Sequence, residues 1–260
     1  EFGFVYGNFN MDDPRLGYSK DPEQNKRNKV LRCAIRKAFN WPERIDRFYY
    51  GIGEAFPGVI KPGIDGYDPN LSKDSITPDV EGAKKMLAEA GWTPENLPLL
   101  EYGGVSSVTT KQFFEQFRGW MRRIGYPKDK IKFLSYATFG DYSKAYKQRK
   151  VLYHGLAWSI DYPDSENVLA LFYGPYQSPG ANSANFENEK YDALYKRASV
   201  MQPSSERTEI YKQMNQILID ECVTISGFSR TGIYLWHKDL LMYPDRDVLG
   251  GGFFRYIGVK

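Results

Sequence analysis

The sequence is poor in the residues from which active centres are commonly built. It holds two histidines, His154 and His237, and two cysteines, Cys33 and Cys222, in 260 residues. A histidine-rich metal centre is therefore excluded, and without a C-x-x-C so are zinc ribbons and thioredoxin-like redox sites. Each histidine is expected as a partly buried ring, not a catalytic base. Neither a G-x-S-x-G elbow nor a P-loop occurs. The nearest approach to a dinucleotide fingerprint, Gly51-Ile52-Gly53-Glu54-Ala55-Phe56, lacks its third glycine. No apolar run is long enough to span a bilayer as a helix. No charge of one sign dominates either: 35 basic against 32 acidic residues is too even for a dedicated nucleic-acid binder. An initiating methionine is missing too, and the start at Glu1 points to a processed or excised chain. The common enzyme signatures fail one by one, which favours binding over chemistry.

What is present is an ordinary soluble composition with a surplus of rings: 42% hydrophobic, 26% charged and 16% aromatic. Buried thiols are the expected state of Cys33 and Cys222, since free cysteine is among the most buried residue types. A disulfide between them needs an oxidising compartment and suitable geometry, and that alternative stays open.

Periodicity alternates between strand and helix along the whole chain. Residues 1–10 alternate Phe2, Phe4 and Tyr6 with Gly3, Val5 and Gly7, a strand pattern. After a polar run over 19–29, Leu31, Ile35, Ala38 and their neighbours recur at helical spacing. Asn40-Trp41-Pro42-Glu43 stops that helix and starts another: Asn40 can cap, and Pro42 fits the first turn. Residues 51–78 read as loop, and a helix opens at Thr77-Pro78 and ends at Gly91. Strands are expected over 97–102, with a break at Gly103-Gly104, over 131–136 and over 151–160. Helices are expected over 109–124, 141–149, 167–172, 189–200 and 205–221, and strands and loop beyond 223. This alternation predicts an α/β fold with helices covering a sheet. No internal repeat or low-complexity linker divides the chain. Charge is uneven along it: 111–150 is basic and 161–222 acidic, both expected as solvated helix faces.

The most informative segment is Trp158-Ser159-Ile160-Asp161-Tyr162-Pro163-Asp164. A strand ending in acidic residues places carboxylates at the carboxyl edge of a sheet, where ligand crevices of open α/β sheets lie. Asp164 is expected to cap a helix starting near Ser165. An acid/base pair of Asp161 and Asp164, as in a glycoside hydrolase, is a distant alternative.

Four landmarks in order resemble the extracellular solute-binding proteins of family 5, the oligopeptide/dipeptide class serving ABC importers. They are the helix from Asn28 to Asn40, and Gly66-Tyr67-Asp68-Pro69 followed by Ala83-Lys84-Lys85-Met86-Leu87-Ala88-Glu89-Ala90-Gly91-Trp92. The tryptophan-x-x-aspartate of Trp158 and Asp161 comes next, and then Tyr191-Asp192-Ala193-Leu194 ahead of Glu206-Arg207-Thr208-Glu209-Ile210-Tyr211. The resemblance implies a type II periplasmic-binding-protein-like lobe, a mixed sheet with helices on both faces, truncated to the carboxyl-terminal portion. Residues 1–12 would then be a hinge strand entering from a missing first lobe. Residues 13–228 would be the second, ligand-binding lobe, and residues 229–260 a tail returning to the first. It further implies a periplasmic or extracellular location, with a lipoprotein anchor as one option, and a membrane permease as partner. No catalysis, cofactor or metal is implied, and no nucleic acid.

In peptide-binding members the motif's aspartate pairs with the ligand's α-amino group, a role that falls here on Asp161. Trp158 would form a wall, with Tyr162 and Asn182 as further candidates from adjacent loops. Gly155, three before Trp158, stands where certain oligopeptide binders carry a basic residue for the ligand's carboxylate. Relatives of the same fold bind oligosaccharides, nickel complexes or opines, and an oligosaccharide ligand is the alternative that the aromatic content would suit.

Overall fold

Residues 3–232, 235, 237–241 and 258–259 are described by a computed structural model of the chain. Its centre is a six-stranded mixed sheet in the order β2-β6-β1-β5-β3-β4. The strands are β1 (Gly3–Phe9), β2 (Glu54–Ala55), β3 (Leu100–Val105), β4 (Ile131–Tyr136), β5 (Tyr153–Ser159) and β6 (Thr224–Ser229). β1 runs antiparallel to both neighbours, β5 and β6, whereas β3 is parallel to β4 and β5. The carboxyl ends of β3, β4, β5 and β6 therefore meet the amino ends of β1 and β2 along one edge. A separate two-stranded pairing joins β7 (Leu240–Leu241) to β8 (Gly258–Val259). Otherwise the expected strands and tail over 230–260 lie largely outside the described residues.

Helices cover both faces. On one lie α1 (Pro22–Ala38), α2 (Trp41–Tyr49), α3 (Val80–Glu89) and α4 (Val108–Arg123). Leu31, Ile35, Trp41, Phe117 and Trp120 meet Tyr153 and Phe228 of the sheet there. On the other lie α6 (Glu166–Leu169), α7 (Glu189–Ala198) and α8 (Ser205–Glu221), with Phe4, Tyr6, Tyr191, Tyr211 and Met214 in a second core. The alternation of β1 sorts its residues between the two: Phe4 and Tyr6 into the second core, Phe9 into the first. α5 (Phe139–Lys147) closes the β3–β4 end, packing Tyr142 and Tyr146 against Val151.

Local chemistry explains most boundaries. The Asn40 side chain accepts the Glu43 N–H at 2.9 Å and caps α2. Asp79 caps α3 through the Gly82 N–H, and Gly91 after that helix sits at φ +71°. Two expectations move. The polar run before residue 30 is largely helix, because α1 starts at Pro22 with Asp21 as cap. β3 does not break at Gly103-Gly104 but continues to Val105. A Cβ at Gly103 would come within 2.3 Å of a Val151 methyl, and one at Gly104 within 2.5 Å of a Thr110 methyl. The glycines are there for close approach, not to end the strand.

The cysteines are paired, which corrects the buried-thiol expectation. Cys33 of α1 is bonded to Cys222 at the end of α8, with Cα atoms 5.2 Å apart. The link ties together the helical layers on opposite faces. Beside it Arg32 donates to the Glu221 carbonyl and Arg36 to the Ile219 carbonyl, so α1 cations meet the negative end of α8. The histidines also depart from expectation. His154 is wholly buried, stacked on Tyr146 with Nε2 3.1 Å from the Ser183 hydroxyl, and His237 is exposed. Burial lowers the His154 pKa to about 3, which keeps the ring neutral.

Candidate ligand-binding site

β5 delivers the tryptophan-x-x-aspartate segment to the carboxyl edge of the sheet. Trp158 turns to the second core and is partly buried there. Its indole N–H donates to Asn167 Oδ1 at 2.7 Å. The other end of the same amide, Nδ2, donates to Asp161 Oδ2 at 3.3 Å. Asn167 is buried in α6, so a fixed amide holds both the ring and the carboxylate. Asp161 itself is exposed, and no Lys or Arg pairs with it among the described residues. An ionised carboxylate held this way can accept a charge-assisted hydrogen bond from a ligand cation.

Asp164, three residues on, has a different task. Its carboxylate accepts the Glu166 N–H at 2.9 Å, the Tyr211 hydroxyl at 2.8 Å and an Arg207 N–H at 2.6 Å. Burial works to raise its pKa, but these three bonds together hold it below the usual carboxylate value. As expected, it serves the start of α6. Fully engaged in this way, it is not available as the partner of Asp161 in an acid/base pair.

The remaining sequence candidates separate. Tyr162 is 44% exposed, and its hydroxyl donates to Glu166, which also accepts from Tyr195. It lies next to Asp161 at the same corner. Asn182 does not join them. It is 0% exposed, its amide donating to the Tyr173 and Phe186 carbonyls and its oxygen accepting the Phe186 N–H. It shapes the 174–185 loop from within and presents nothing to a ligand.

Two features of the site went unrecognised in the sequence. One is Asn167, for which the only signal was a polar residue just ahead of the apolar run 168–172. The other is a groove of about 390 Å³ on the first face, bordered by β1, β3, β5, α2, α4 and α5. Its floor includes Gly7, Gly103, Gly104 and Gly155, and Val105, Phe139 and Arg230 bring it to the same sheet edge. Ala157 lines it, while Trp158, the next residue, turns to the opposite face. The paired glycines of β3 and Gly155 were visible, but their convergence depends on strand order.

Comparison with known proteins agrees with this architecture. Residues 1–180 match the family described as "Bacterial extracellular solute-binding proteins, family 5 Middle", and the chain belongs to that family of binding proteins. Heme-binding protein A of Haemophilus influenzae is 26% identical over 198 residues, 74% of this chain and 34% of that protein. Di/tripeptide-binding protein 1 of Pseudomonas aeruginosa is 27% identical over 207 residues, 78% of this chain and 37% of its own length. Among solved structures, HbpA2 from Haemophilus parasuis superposes with a TM-score of 0.81 at 22% identity, covering 100% of this chain and 48% of that one. This chain thus spans between a third and a half of these relatives' length. The fold is the expected α/β periplasmic-binding-protein architecture.

Proposed function

We propose that the protein containing this chain is the substrate-binding component of an ABC importer and captures short peptides, with Asp161 receiving the ligand's α-ammonium. The observation that carries this reading is the exposed, unpaired Asp161 carboxylate, fixed by Asn167 beside Trp158 at the carboxyl edge of the sheet. Similarity to a di/tripeptide-binding protein supports the ligand class. A main-chain ammonium is common to all peptides, so such an anchor fixes orientation without reading side chains. Trp158 and Tyr162 flank the anchor as apolar surface.

In this reading residues 1–12 and 229–260 connect to a first lobe, residues 13–228 form the second lobe, and ligand is enclosed between them by hinge closure. A membrane permease would then accept the ligand. The Cys33–Cys222 link favours an oxidising, extracytoplasmic setting. An oligosaccharide has less support, because Trp158 spends much of its surface on the second core. The test is calorimetry on the intact protein with short peptides. Asp161→Ala should weaken binding by about 2–5 kcal/mol, the cost of leaving a ligand charge enclosed without its partner. Unchanged affinity would remove Asp161 from the site.

A further inference from the structure

The uneven charge along the sequence becomes a surface in the fold. Residues 111–150 hold 11 basic and 3 acidic residues, and they gather at one end of the sheet, around the edge strand β4. α4 covers one face of that end and α5 the other. Along α4, Lys111, Arg118 and Arg122 recur at helical spacing on the side turned away from the core. Lys128 and Lys132 meet Arg118 around a shallow groove beside β4, and Lys144 and Lys147 stand exposed on α5.

The acids of this segment are mostly engaged. Glu115 pairs with Arg118, and Asp141 closes the capping box of α5 with Thr138. Asp129 remains, on the groove with Lys128. Against it stand Lys111, Arg122, Lys128, Lys132, Lys144 and Lys147, all exposed and none with an ion-pair partner among the described residues. The helices α6, α7 and α8 carry the opposite sign, since residues 161–222 hold 10 acidic and 5 basic residues. With one end of the lobe cationic and a helical layer elsewhere anionic, a negatively charged surface would turn the molecule β4 end first.

Five of these six free cations are lysines. A lysine ammonium is a hydrated point charge without a preferred bonding geometry, and here the charges are spread over two helices and a strand instead of converging on a pocket. Such a distribution suits a diffuse layer of negative charge, not a single anion or a shaped protein partner. A membrane of anionic phospholipids is such a layer, and the Cys33–Cys222 link favours an extracytoplasmic setting in which one is at hand.

We propose that the β4 end of this lobe docks on anionic phospholipid membranes through these lysines. The inference is independent of the peptide reading, because it assigns a surface apart from the Asp161 corner and holds for any ligand.

The experiment is flotation of the intact protein with vesicles of phosphatidylcholine, alone or with phosphatidylglycerol as about a third of the lipid, at low and high salt. Binding should require phosphatidylglycerol and fall roughly tenfold or more at high salt, as screening shortens the reach of the charges. Lys128→Gln, Lys132→Gln and Lys144→Gln combined should weaken it roughly 100-fold, because each lysine near an anionic surface contributes about fivefold. Lys20→Gln, Lys73→Gln and Lys190→Gln combined alter exposed lysines elsewhere and change the net charge equally. They should cost less than about threefold, and the unfolding midpoint should stay unchanged in both triple variants. Equal binding to both kinds of vesicle, or no binding to either, overturns the proposal. Equal losses from the two triple variants overturn it as well, since the effect would then be one of net charge and not of this surface.

Discussion

Each face of the sheet buries an arginine to 6% exposure, and the two are treated in opposite ways. Arg207, in α8 over the second core, meets Asp164 at 2.6 Å and also donates to the Ala198 carbonyl. Arg44, in α2 over the first, meets an amide oxygen, a carbonyl and a set of rings. Both are held by hydrogen bonds and by aromatic stacking, Arg207 over Tyr211. Only Arg207 has an internal counter-charge. A desolvated cation with its own carboxylate is part of the scaffold, and breaking it costs stability. A desolvated cation without one rests on neutral acceptors and rings, as Arg44 does here. The two aspartates of the β5–α6 corner follow the same division, Asp164 consumed by the fold and Asp161 left to the surface.

The sharpest way to break this comparison is to remove each cation in turn. Arg207→Met should lower the unfolding free energy by about 3 kcal/mol, since it strands Asp164 in a partly buried position. Arg44→Met should cost only about 1–2 kcal/mol, the loss of hydrogen bonds to two neutral acceptors with no charge left stranded. Denaturant unfolding of both variants reads the difference, and equal losses would erase the distinction. The Arg207 contribution also depends on pH. Asp164 has a depressed pKa in the folded state, so the pair's stability is fully present above the ordinary carboxylate value of 3.8 and is lost as pH falls through the lower folded value. The gap between the unaltered protein and Asp164→Asn should close under acid.

Next in size is the bond that joins the two faces. Replacing Cys33 and Cys222 by serine should cost about 2–4 kcal/mol, and thiol titration of the denatured, unreduced protein should find neither cysteine free. Two reactive thiols would return the pair to the buried-thiol state.

How much of this was legible beforehand follows from sequence distance. The Asn40 cap, the alternation of β1 and the helical spacing of α4 and α8 are local, and local rules found them. The capping role of Asp164 was equally local, two residues from the N–H it accepts. Arg44 looked like any charged residue on a helix, because its burial requires Phe113 and Trp120, some seventy residues away. The groove needs β1, β3 and β5 side by side, an order that periodicity cannot supply. Asn182 is hidden from local rules for the same reason: a polar residue in a glycine-rich loop looks exposed, and only the folded loop shows its amide satisfied from within. Gly103-Gly104 looks like a strand break in sequence, and only the neighbours in space, Val151 and Thr110, show why both positions are glycine.

A smaller effect concerns the amide that serves the open aspartate. Asn167→Ala should weaken peptide binding by about 1–2 kcal/mol, since both the Trp158 indole and Asp161 lose their hold. Asn167→Asp, which leaves the indole an acceptor but sets a second carboxylate beside Asp161, would separate the two contributions in the same calorimetric titration. Smallest of all is His154. With its pKa lowered to about 3 by burial, the ring should stay neutral when followed by NMR down to about pH 4. Stability should fall over the window from the ordinary histidine value of 6.5 toward 3, as the unfolded chain alone takes up the proton. A ring that protonates near 6.5 in the folded protein would contradict its burial.

The proposed role of Asp161 is that of an open carboxylate awaiting a ligand ammonium. Its most direct test is a calorimetric cycle on the intact protein, pairing Ala-Ala and N-acetyl-Ala-Ala with the unaltered chain and Asp161→Asn. Acetylation should weaken binding to the unaltered protein roughly tenfold or more and make little difference to the variant, because the lost charge has lost its partner. Equal sensitivity to acetylation in both proteins would place the ammonium somewhere else.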